Sequence, residues 1–228
     1  MKVSNLTKVY EKKTVLSVDG FDFTPGKIYA IIGANGSGKS TFLKVISGIV
    51  KSDTKGVTLK NLLSGENQLC YMPQKNYAFK TSTLRNILLT SKNPKLDTPR
   101  AMELMKEMKI DHLAKQQASK LSGGETARMA LCRLVMSGAS VILLDEPTAA
   151  MDIESTLMSE ELIRKYNTEN DATVIMVTHS INQARRLSHE VIFMKDGKIV
   201  EHGPTFDVLN SPKESDTKEF LEFFSAEI

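Results

Sequence analysis

The chain has 228 residues, 41% apolar and 25% charged, enough for one substantial core and so for a single domain over 1–228. A net charge of +3 without a basic stripe and interleaved aromatics argues against nucleic acid as a partner. Cys70 and Cys132 are too far apart in sequence for a disulfide framework or metal-ligand spacing, and suit a reducing cytosol. Met1 to Leu6 is not the start of a signal core, and no run reaches the roughly 18 apolar residues of a membrane helix. Any membrane part is expected from a partner.

Residues Lys2 to about Phe23 alternate apolar and polar side chains and predict strands, with Pro25-Gly26 turning into the apolar run Lys27 to Ile32. Gly33-Ala34-Asn35-Gly36-Ser37-Gly38-Lys39-Ser40 follows and leads into a helix-like stretch, Thr41 to Ser47. This is G-x-x-x-x-G-K-[ST] in the strand-to-helix context of a phosphate-binding loop. Its glycines let backbone N–H groups wrap a polyphosphate; Lys39 is expected at the β- and γ-phosphates and Ser40 at Mg²⁺. Gly33, Asn35, Gly36, Ser37, Gly38, Lys39, Ser40 and Thr41 are the candidate nucleotide contacts.

Gly56 to Leu59 and Gln68 to Met72 are expected to join the N-terminal strands in a small, largely antiparallel layer. Helices then take over, with Thr83 capping Leu84 to Leu89 and Thr98-Pro99 starting a run to about Lys109, in a helical subdomain over 75–120. Met102, Met105 and Met108 recur at i, i+3, i+6; core packing is favoured over a docking face. Leu121-Ser122-Gly123-Gly124-Glu125 opens a helix from Thr126 to Ser137, making a second anion-binding turn far from the first.

Val141-Ile142-Leu143-Leu144 ends in Asp145 and Glu146, a buried parallel strand delivering two carboxylates to its C-terminal edge. Strand alternation gives them different tasks: Asp145 is assigned to Mg²⁺ through water, and Glu146 to polarising the water that attacks the γ-phosphorus. Strands and helices alternate from there, as a parallel sheet requires, and 204–228 reads as two short helices.

Taken together, the phosphate loop, the Ser-Gly-Gly turn and the carboxylate strand resemble those of the ATP-binding cassette (ABC) ATPases. Leu121 to Glu125 matches that family's signature motif, and the order of parts extends over nearly the whole chain. The resemblance implies an α/β fold: a P-loop NTPase core with a mostly parallel sheet, a small antiparallel β subdomain and an α-helical subdomain. It implies that Tyr10 stacks on adenine and that Gln74, in Tyr71-Met72-Pro73-Gln74, senses Mg²⁺ and the γ-phosphate as a metal and catalytic residue. It implies that Asp152, in Thr148-Ala149-Ala150-Met151-Asp152, crosses a dimer interface, and that His179 is the switch histidine. His112, His189 and His202 have no such match. After the signature, Arg128 is retained while Thr126-Ala127 replaces the glutamine-rich pair of many members.

The family pairs two cassettes head to tail, so Ser122, Gly123 and Gly124 are expected to complete the ATP site of a second copy. The implied activity is Mg²⁺-dependent ATP hydrolysis coupled to transmembrane permease subunits, with an extracytoplasmic solute-binding protein in the same system. The location that follows is peripheral, at the cytoplasmic face of the cell membrane. The sequence from Glu201 to Leu221 looks like the ends of bacterial importer cassettes for amino acids or for oxyanions such as phosphate, molybdate or tungstate, without an appended regulatory domain. A soluble cassette serving assembly or cell division is the alternative. A GTPase switch is disfavoured, because no N-K-x-D guanine motif occurs.

Overall fold

Ile28–Ile32 has no polar side to turn to water, so it needs cover on both faces; it forms β3, buried throughout, inside a six-stranded sheet. The structure is a computed structural model that describes residues 1–59 and 68–225. The sheet order is β4 (Leu69–Met72), β5 (Val141–Asp145), β6 (Thr173–Val177), β3, β7 (Glu190–Lys195) and β8 (Lys198–Pro204). All neighbours are parallel except β7 and β8. A separate antiparallel pair, β1 (Lys2–Tyr10) and β2 (Lys13–Asp22), lies apart from it.

The strand period of two divides the core. Ile142, Leu144, Val174 and Met176 face the helices α2 (Thr83–Ile87), α3 (Thr98–Glu107), α4 (Gly123–Val135) and α5 (Ile153–Asn170), packing with Ile87, Leu104, Leu131 and Ile163. Tyr29, Ile31, Leu143, Ile175 and Val177 face the other way, onto the β1–β2 hairpin and α1 (Lys39–Ile46) through Leu6, Leu16, Phe23, Phe42 and Leu43. Beyond β3, Ile32, Val191 and Phe193 are covered from α6 (Ile181–Leu187), α7 (Thr205–Asn210) and α8 (Ser215–Ser225) by Ala184, Val208 and Leu221. Every strand that reaches the phosphate loop is thus clamped from both sides.

The structure corrects the sequence reading at four points. Leu69–Met72 is not in the antiparallel layer: β4 pairs in parallel with β5, Tyr71 opposite Leu143 and Met72 opposite Leu144. From that layer's expected members only Val57 bridges β1, at Ser4. The alternation after Val141 ends in an antiparallel β7–β8 hairpin rather than continuing in parallel. Ser82, not Thr83, caps α2: its hydroxyl accepts from the Arg85 N–H, and the α-helix ends at Ile87 before a 3₁₀ turn over Leu88–Thr90. The tail does hold two helices, although its last three residues lie outside the described ones.

Met105 and Met108 are buried and Met102 packs on the same core, so the methionine row is core packing. Cys132 is buried and donates to the Leu104 carbonyl at 3.7 Å; burial pushes its thiol up to about 12, keeping it a neutral, inert packing group. Buried Glu160 of α5 accepts a two-pronged contact from Arg186 of α6, Nε to Oε2 at 2.8 Å and Nη2 to Oε1 at 2.7 Å. The pair ties together the helices that follow β5 and β6, and with them the two loops carrying Glu146 and His179.

Candidate active site

At the C-terminal end of β3 the chain must turn sharply beneath β7. Gly33 does so at φ 145°, and a Cβ there would sit 2.2 Å from the Met194 carbonyl oxygen, so only glycine fits. The loop ends at Gly38, whose carbonyl accepts the Phe42 N–H at 2.8 Å in the first turn of α1. The β7–β8 turn holds the loop from outside, with the Gly197 N–H on the Ser37 carbonyl at 2.9 Å. Lys39 is buried and curls back so that Nζ donates to the Gly33 and Ala34 carbonyls at 2.7 and 2.9 Å. Burial lowers its pKa from the ordinary lysine value, while the nearby Glu146 and Asp145 carboxylates oppose that shift.

Asp145 ends β5 almost fully buried, and its Oδ1 accepts the Ser40 hydroxyl at 2.7 Å. Glu146 leaves the strand in the left-handed region at φ 51°, its N–H still on the Val177 carbonyl at 3.0 Å. That turn sends its carboxylate away from Asp145 and between two other residues. Gln74 Nε2 donates to Oε2 at 3.2 Å, and His179 Nε2 lies 2.7 Å from Oε1. The three side chains come from the segments after β4, β5 and β6, which is how the parallel sheet assembles a site from distant sequence.

A cavity of about 430 Å³ opens here, lined by Asn35, Gly36, Gly38, Lys39, Ser40, Thr41, Gln74, Glu146 and His179, together with Val15 from β2. Gly33, Ser37 and Asp145 belong to the same loop and strand ends but do not line it. Tyr10 also lies outside that lining; the residue is 46% exposed, with Lys8 Nζ 5.3 Å from the ring centroid. Ser122, Gly123 and Gly124 stand at the start of α4, in a capping box in which Ser122 Oγ accepts the Glu125 N–H at 3.3 Å and Glu125 accepts the Ser122 N–H at 2.7 Å. Those hydrogen bonds hold the Glu125 carboxyl below its usual range despite some burial. Asp152 likewise caps α5, accepting the Ser155 N–H at 2.7 Å, which lowers its pKa.

The donor set suits a hard divalent cation. Ser40 and Asp145 offer a hydroxyl and a carboxylate beside the phosphate loop, the arrangement in which Mg²⁺ is held by one or two side chains plus substrate phosphates. Among the described residues no cluster of three or more His, Cys, Asp or Glu side chains could form an all-protein cage. Sequence reasoning had missed Val15, Tyr71 and Gln183. Tyr71 reaches Asp145 Oδ2 at 3.2 Å, and buried Gln183 joins Thr178, which precedes His179, to Thr148 after Glu146, at 2.7 and 2.9 Å. None of these contacts has a local sequence signal.

The family description "ABC transporter" matches residues 16–149. The tungstate uptake system ATP-binding protein TupC of Peptoclostridium acidaminophilum is 40% identical, over 87% of this chain and 96% of the relative. The molybdate/tungstate import ATP-binding protein WtpC of Methanocaldococcus jannaschii is 33% identical over 98% and 76%, and the methionine import ATP-binding protein MetN 1 of Oceanobacillus iheyensis 30% over 97% and 71%. A bacterial ABC transporter cassette solved as a dimer superposes with a TM-score of 0.79 at 27% identity, over 90% of this chain and 98% of that one. A dimeric post-hydrolysis state of an ATP-binding cassette, bound to ADP and Pi, superposes with a TM-score of 0.76 at 27% identity over the same shares of the two chains. This chain belongs to the ABC transporter family, as an ATP-binding and ATP-hydrolysing cassette.

Proposed function

We propose that this cassette powers import of a small polar solute, with an oxyanion of the tungstate and molybdate class as the leading candidate and an amino acid such as methionine as the second. The observation that carries the catalytic part is the Glu146 carboxylate held between Gln74 and His179 at the mouth of the phosphate-loop cavity. The substrate class rests on the oxyanion and methionine importers among the relatives.

The reaction is phosphoryl transfer to water, so the protein must position groups and neutralise charge. Loop amides from Gly33 to Ser40 and the Lys39 ammonium bind the phosphates. Ser40, Asp145 and Gln74 would hold Mg²⁺, which when bound neutralises charge on the phosphate oxygens. Glu146 takes the proton of the attacking water; Gln74 and His179 fix its carboxylate and report the γ-phosphate to the segments behind them. Tyr10 supplies a ring face for adenine. Two copies close head to tail, each presenting Ser122, Gly123 and Gly124 to the other's nucleotide.

Among the described residues no helix is long and apolar enough to cross a membrane; the importer-type relatives support a transmembrane permease partner. A surface for it stands next to Gln74, where Tyr77 and Phe79 are exposed. This segment is held in shape: buried Asn86 accepts the Phe79 N–H and donates back to the Phe79 carbonyl, and Arg133 of α4 donates to the Tyr77 carbonyl at 3.1 Å. We place the chain at the cytoplasmic face of the membrane, with permease subunits and a solute-binding protein as its system. Affinity purification from membranes should recover a permease with the parent chain and much less of it with Tyr77→Glu, whose ATP affinity stays unchanged. Recovery of soluble partners alone, such as an assembly scaffold, would defeat the transport reading and leave the ATPase intact.

A further inference from the structure

Asp145 is a buried carboxylate held by two hydroxyls, one on each oxygen. Ser40 donates to Oδ1 at 2.7 Å and Tyr71 donates to Oδ2 at 3.2 Å, while Asp145 itself is only 2% exposed. The tyrosine contact follows from strand register. Met72, the last residue of β4, pairs with Leu144, so the strand stops one residue short of Asp145. Tyr71 sits opposite Leu143 and therefore on the same face as Leu143 and Asp145. A diagonal neighbour two residues along the partner strand is within reach of a long aromatic side chain.

A phenol facing a carboxylate can only donate, so the Tyr71 hydroxyl hydrogen is committed to Asp145 Oδ2. Three residues later the same strand end delivers Gln74 to Glu146. One short segment thus sets both carboxylates of the site. Lys39 is the competing cation, close enough for its charge to be coupled to that of Asp145. Without the phenol, Oδ2 would be left unpartnered in a dry site, and the carboxylate could turn toward that ammonium and away from Ser40.

We propose that Tyr71 is a positioning residue for the divalent cation, fixing the Asp145 carboxylate so that Oδ1 stays with Ser40. It acts through Asp145 and does not touch the cation or the nucleotide. This rests on the reading of Ser40 and Asp145 as the cation side of the site. Partners that orient a metal ligand typically contribute about 10- to 100-fold in metal affinity.

The test is Mn²⁺ titration of the protein bound to a non-hydrolysable ATP analogue, followed by electron paramagnetic resonance of the bound ion. Tyr71→Phe should weaken Mn²⁺ about tenfold while nucleotide affinity in EDTA, and hence the fold, stays at the parent value. Tyr71→Met, which fills the space without a hydroxyl, should show the same loss. A plain packing role predicts parent Mn²⁺ affinity in Tyr71→Phe, and that result would overturn the proposal. Asp145→Asn separates the two levels: if it too leaves Mn²⁺ affinity unchanged, the cation reading itself fails, whereas a loss there with none in Tyr71→Phe removes only the role of Tyr71.

Discussion

Glu146→Gln should bind ATP as tightly as the parent and lose about 10²- to 10⁴-fold in turnover, the usual contribution of a general base. The substitution is nearly isosteric and leaves the backbone turn at φ 51° with the same steric demand. What disappears is the charge and the ability to take a proton from water. The carboxylate now accepts from Gln74 at 3.2 Å and approaches His179 Nε2 at 2.7 Å, whereas an amide keeps only one acceptor oxygen for the two. Steady-state phosphate release beside calorimetric ATP binding separates the two effects. Turnover near the parent rate would remove Glu146 from the role of base.

Lys39→Ala should have the largest effect on binding. Nζ now satisfies the Gly33 and Ala34 carbonyls at 2.7 and 2.9 Å from a buried position at the start of α1. With phosphate present the same ammonium is the one loop side chain carrying positive charge, and charge-assisted hydrogen bonds contribute about 1.5–3 kcal/mol each. Losing one such contact weakens binding about 10- to 150-fold, and losing contacts to two phosphates multiplies the loss. The fold should survive, since Lys39 itself lines the cavity and its truncation opens space through which water can reach the two carbonyls. Circular dichroism checks the fold and calorimetry the affinity; parent-like ATP affinity would contradict the phosphate-loop assignment.

Three buried strands were readable because each is a continuous apolar run beside a chemical marker: β3 before the glycine loop, β5 before Asp145-Glu146, and β6 before His179. Strand β4 was assigned to the wrong layer because Leu69-Cys70-Tyr71-Met72 is four residues long and mostly half-buried at a sheet edge, so its pattern cannot name its partner. That error also hid Tyr71, whose contact with Asp145 exists only once β4 lies beside β5. The β7–β8 hairpin did carry a local signal that went unused: Asp196-Gly197 joins the strands, with φ of 48° and 76°, the two-residue turn that Asp-Gly favours.

Within the site, the loop residues and both carboxylates were legible from chemistry and spacing alone. Gln74 and His179, which line the cavity, could be singled out only through the family resemblance, because a lone glutamine or histidine carries no signal by itself; Tyr10, singled out in the same way, lies outside that lining. Val15 and Gln183 stayed invisible. The first is an ordinary strand residue whose position by the cavity depends on how the hairpin docks, and the second is a helix residue whose buried amide meets Thr148 and Thr178 only in the folded sheet.

Completion of each site by a second copy is what we propose for Ser122, Gly123 and Gly124, because they lie outside the lining of the cavity that holds Lys39 and Glu146. Light scattering on Glu146→Gln, where hydrolysis no longer reopens the closed state, tests it most directly. With saturating ATP and Mg²⁺ the mass should double from that of the 25.3 kDa chain, and with ADP it should return to the monomer. A mass that stays monomeric in ATP would contradict the assignment of the signature turn to a partner's nucleotide.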